Sequence, residues 1–218
     1  MNSDVGQHNT AHPFKPHAEG KLQMLNDLFF SLRESVAKLF PVSRHTAASF
    51  SDEIYRASAT CASIVIRDHS DVGEDCRFKL TSVFLQGLLH LIDRRAFSVM
   101  PARRSEVMNQ LLLHCYGKLI NSFSSQNITI EEKQKLLGTA LDEYNAAASF
   151  YGACKKTAPE GKESLKGTLF WEFGKKFASA SNHARNSAFI VLGSERLLDV
   201  FEHLKVSERL SSLSDHCA

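Results

Sequence analysis

The sequence is short of the features that usually announce a chemistry. It has five cysteines, at 61, 76, 115, 154 and 217, and no CxxC among them. An odd number without ligand spacing argues against a disulfide framework or a zinc ribbon. It suits a reducing, cytoplasmic setting. Cys61, Cys76, Cys115 and Cys154 sit in or beside apolar helical patterns, where a thiol packs as a small hydrophobe.

Long apolar runs are also missing. The nearest candidate, "TSVFLQGLLHLI" at 81–92, is too short to span a bilayer and carries Gln86 and His90, so no membrane span is expected. The first twenty residues lack an apolar h-region, so no signal peptide is expected. Charge of one sign is lacking too. A net charge of +2 is too small to mark a nucleic-acid binder, and no helix-turn-helix with a distinct recognition helix is readable. No nucleic-acid partner is therefore expected.

Catalytic signatures are equally scarce. "PEGKES" at 159–164 lacks the glycine spacing of a phosphate loop and has no strand before it. No GxSxG elbow, HExxH or Glu-x-x-His occurs. These absences point away from an enzyme and imply no cofactor.

What is present is helical periodicity. With 218 residues, 43% hydrophobic and 23% charged, the chain is long enough for a substantial globular core. Residues 1–20, polar and containing Pro13 and Pro16, read as a disordered or loosely attached tail. Leu22, Leu25, Phe29, Leu32, Val36 and Leu39 then form one apolar stripe at steps of three and four, and Pro41 supports a stop near Phe40. A second helix is expected from Ser51 as N-cap, with Ile54, Ser58, Cys61 and Val65 on its face.

"DVGED" breaks the chain before a long, nearly all-apolar helix from Cys76 to Val99, expected to be central and buried. Pro101 suits the first turn of the next helix, which carries Met108, Leu112, Cys115 and Leu119. Thr129 and Glu132 form a capping box for a helix bearing Leu137, Leu141, Tyr144, Ala148 and Tyr151. After a Lys/Gly/Pro-rich loop, 164–206 reads as two helices broken near Asn182, and 207–218 is expected to fray. The fold class is all-α: a single compact bundle of about seven antiparallel helices over 21–206.

Three groups of residues carry chemistry. Arg94 and Arg95 close one helix and Arg103 and Arg104 open the next. The second pair opposes the helix dipole, a placement local stability does not explain. The four guanidiniums could converge on a small anionic ligand through bidentate hydrogen bonds. Otherwise they form a solvated hairpin tip paired with Asp93 and Glu106. Trp171 and Phe173, in "GTLFWEFGKKFA", are candidates for a ligand-facing wall or a docking surface, with Glu172 and Lys176 spaced as an i,i+4 ion pair. His90, Asp93 and His114 are a weak metal-ligand set. The leading expectation is a non-enzymatic interaction protein with a protein partner or self-association. The alternatives are an anionic-ligand-binding bundle and a metal-dependent bundle enzyme.

Overall fold

The computed structural model describes residues 47–124, 128–154, 156–157 and 165–215, without the side chains of 214 and 215. The expected tail, the first apolar stripe with its stop near Phe40, and the "PEGKES" loop lie outside the described residues.

Among the described residues the fold is all-α. Seven α-helices follow in order: α1 (Ala47–Asp68), α2 (Arg77–Val99), α3 (Arg104–Phe123), α4 (Ile130–Gly152), α5 (Leu169–Ala180), α6 (Ser187–His203) and α7 (Val206–Asp215). The number agrees with the sequence reading, but the set differs. The expected first helix lies outside the described residues, and the seventh falls where fraying was expected. Val206, Leu210 and Leu213 are buried there, at the three-four spacing of an apolar stripe. The Glu53–Arg209 ion pair, itself largely buried, ties α7 to α1.

Local chemistry sets most boundaries. α1 begins four residues before Ser51, because the Ser51 hydroxyl donates to the Ala47 carbonyl instead of capping. Its expected face of Ile54, Ser58, Cys61 and Val65 is buried. Residues 101–103, Pro101 among them, form a turn, and α3 starts at Arg104. α4 carries the capping box: Glu132 N–H donates to Thr129 Oγ1 at 3.2 Å, and Thr129 N–H to Glu132 Oε2 at 2.8 Å. α5 and α6 are separated at Asn182, which adopts φ 63°, a left-handed conformation that asparagine tolerates better than most residues.

α2 is the centre. It packs against each of the other six helices, and from Leu80 to Ile92 it is buried on most sides. At Gly87 a Cβ would come within 2.5 Å of the Phe173 ring, so only glycine lets α5 lie this close. At Gly174 a Cβ would meet the Ile190 carbonyl oxygen at 2.2 Å, and the α5–α6 hairpin closes on that contact. Phe84, Phe173 and Phe177 fill the space between with ring centroids 5.4 and 5.5 Å apart.

α4 lies on the outside. It buries Tyr144, Ala147 and Tyr151. Ala148, expected on the inner stripe, is exposed and its neighbour Ala147 takes that place. No described helix is long and apolar enough to cross a membrane.

Candidate functional site

The four arginines do not converge. A helix turns about 100° per residue, so adjacent side chains leave on different faces. Arg95 Nε donates to Ser207 Oγ at 2.7 Å, and Arg103 Nη1 donates to the Leu213 carbonyl at 2.8 Å. Both therefore hold α7 against the bundle. Arg94 and Arg104 face the other way and line a cleft of about 460 Å³ with His90, Asp93, Phe97 and Tyr151. His90, Asp93, Arg94 and Phe97 follow the i, i+3, i+4, i+7 rule on α2. Arg104 comes from the start of α3 and Tyr151 from the end of α4.

The two cleft arginines have different roles. Arg94 Nη2 donates to the carbonyls of Tyr151 and Cys154, both at 2.6 Å. Tyr151 stands in the last turn of α4 and Cys154 just past it, where carbonyls lack partners within the helix. Arg94 thus caps α4, and the dipole favours its charge. Arg104 makes a two-point contact with Asp93, Nε to Oδ1 at 2.7 Å and Nη2 to Oδ2 at 2.6 Å. That hydrogen-bonded carboxylate raises the Arg104 pKa further. The guanidinium carbon also stands 5.6 Å from the centroid of the Phe97 ring. Asp93 thereby offsets the dipole penalty at α3, and Glu106 contacts Arg103 at 3.4 Å, as the ion-paired reading of the hairpin required.

The inner wall is aromatic and uncharged. His90, 5% exposed, stacks on Tyr144 at 4.2 Å with rings nearly parallel. It lies 4.7 Å from Tyr151, centroid to centroid. Burial pushes the His90 pKa down to about 4, against the opposing pull of Asp93. It is neutral at pH 7. Burial likewise pushes the Tyr151 phenol upward. His90 Nε2 and Tyr151 Oη are both buried and have no hydrogen-bond partner among the described residues. Buried polar atoms left in that state cost about 1–3 kcal/mol each.

The other candidates stand elsewhere. Phe173 is fully buried and Trp171 half-buried, and neither lines the cleft. Phe97 and Tyr151 are the aromatic walls instead. Lys176 does not pair with Glu172, whose partner is Lys175 at 2.6 Å. Lys176 Nζ bonds Gln86 Oε1 at 3.2 Å and lies 4.7 Å from the Tyr151 ring centroid. His114 is exposed, its Nδ1 on the Gln110 carbonyl at 2.8 Å. The set His90, Asp93 and His114 is not brought together, and no described group of three or more His, Cys, Asp and Glu residues could hold a metal ion.

Tyr151 and Phe97 went unassigned in the sequence. The α2 spacing could have pointed to Phe97, but Tyr151 reads as another member of a core stripe. Fold and cleft together define an all-α helical bundle with an arginine-lined cleft at one end of α2. No family model, curated protein or solved structure matches the chain.

Proposed function

We propose that this protein is a helical-bundle binding protein that holds a small anionic ligand in the α2–α3–α4 cleft. The observation that carries this reading is that Arg94 and Arg104 line one cleft in which Asp93 is the single carboxylate among the described residues. Two guanidiniums against one carboxylate leave the cleft cationic. Phe97, 65% exposed, offers an apolar surface at its mouth. A cleft with apolar walls and a few convergent polar groups is the usual form of a small-molecule site. The ligand's charge meets Arg104 and its apolar body meets Phe97.

Native mass spectrometry on untagged protein from its own cells tests this. An added mass of a few hundred daltons, lost in Arg104→Gln, is expected. A bare-chain mass, together with no change in the His90 ring resonances on titration with benzoate, would remove the reading.

A second reading, self-association, draws on a different observation. Phe78 and Phe123, 45% and 38% exposed, form an edge-to-face pair at 5.2 Å, and exposed aromatic surface marks contact sites. Trp171 and Phe173 are too buried for that role. Sedimentation velocity decides it: a dimer that Phe78→Ser with Phe123→Ser returns to monomer supports it, and a monomer at high concentration ends it.

A further inference from the structure

Resting on the ligand-binding reading, we infer that Asp93 is a built-in occupant of the site: its carboxylate holds on Arg104 the place that the carboxylate of a small organic acid takes when it binds. The contact has the form of a ligand contact. Both carboxylate oxygens meet the Nε and Nη2 edge of the guanidinium at 2.7 and 2.6 Å, the planar two-point geometry that arginine offers a free carboxylate. The pair is replaceable. Asp93 and Arg104 side chains are 23% and 39% exposed, so both ends of the pair can be reached from solvent.

The surroundings hold Arg104 ready without Asp93. Phe97 lies against its guanidinium and does not depend on the carboxylate. Arg94 is no alternative landing point, because its Nη2 is committed to the α4 carbonyls. Arg104 is therefore where exchange occurs.

The same geometry narrows the ligand. Replacing Asp93 by a monocarboxylate leaves the charge around Arg104 unchanged, with Asp93 turned to solvent. A dianion such as phosphate would instead face both Asp93 and a single exchangeable arginine. His90 is neutral and adds no charge. Phe97 offers the apolar surface beside the arginine. The ligand class is thus a small organic monocarboxylate with an apolar body. Asp93 sets its affinity by competing with it.

The test is calorimetric titration of the full chain with 4-hydroxybenzoate, benzoate and inorganic phosphate, in the wild type, Asp93→Asn and Arg104→Gln. Asp93→Asn should bind 4-hydroxybenzoate and benzoate at least about tenfold more tightly than the wild type, and phosphate with no gain. Arg104→Gln should bind none of them. If the wild type binds and Asp93→Asn binds equally or more weakly, the competition is overturned while the ligand-binding reading stands. If neither binds, both fall. A readout without substitution guards against a poorly folded variant: the wild-type Asp93 carboxyl carbon resonance must move on saturation with 4-hydroxybenzoate. An unmoved resonance overturns the exchange.

Discussion

The α5–α6 hairpin and α4 are both amphipathic, yet they are held in opposite ways. The hairpin is locked by close approach. Gly174 sits where a Cβ would strike the Ile190 carbonyl, and Phe173 and Phe177 are fully buried. α4 is longer, with 23 residues, but buries only three, all in its second half. Its first half leaves Ile130 72% and Leu136 44% exposed. α4 is anchored at its C-terminal end, by Tyr144 on His90 and by Arg94 on its last carbonyls. The core hairpin supplies packing, while the outer helix contributes one wall of the cleft.

Four measurements test this contrast. The largest effect belongs to the hairpin: Phe173→Ala should cost about 3–5 kcal/mol in urea unfolding, the usual loss for a fully buried phenylalanine. A value near zero would mean that the hairpin is not the anchor.

Next is His90 at the α2–α4 junction. Its pKa falls from 6.5 to about 4 on folding. Between those values the unfolded chain binds the extra proton, so stability is complete above pH 6.5 and declines as pH falls toward 4. At 1.4 kcal/mol per unit, the loss is about 3 kcal/mol. His90→Phe, which keeps the stack on Tyr144, should remove that part of the decline when unfolding midpoints are compared from pH 7 to pH 4. Parallel profiles for the two proteins would refute the assignment.

Arg94→Gln strips two charge-assisted bonds from the end of α4 and should cost about 2 kcal/mol. Hydrogen exchange should speed up in α4 and stay unchanged in α5 and α6. Uniform acceleration would mean that the two regions unfold together. The smallest effect is expected at the exposed start of α4: Ile130→Ser should stay within about 0.5 kcal/mol of the wild type by thermal unfolding, as exposed substitutions do.

Much of the helix pattern was legible because it is local. The stripe Ile54, Ser58, Cys61 and Val65, the capping box at Thr129 and the break at Asn182 depend on residues within one or two turns. Two misreadings were local as well. Ser51 looked like a cap, but a hydroxyl can equally bond back to the carbonyl four residues earlier. The end of the chain looked frayed, although Val206, Leu210 and Leu213 already carry the helical spacing. The cleft was only half legible. The arginine pairs stood out because the second opposes a helix dipole, but a pair in sequence is not a pair in space. One residue of separation sends Arg94 to the cleft and Arg95 to α7.

Readable from the sequence were the helical class, most of the buried face of each helix that could be compared, and the placement of two cations at a helix start that the dipole disfavours. These follow from period, caps and charge, all set within a few residues. The crossing of the helices decided that Arg104 meets Asp93, that Arg94 caps a helix 57 residues further along, and that His90 and Tyr151 line one cleft with them. Those outcomes depend on how three helices cross, and a crossing is set by side chains from distant parts of the chain packing into one volume, which no short-range pattern records.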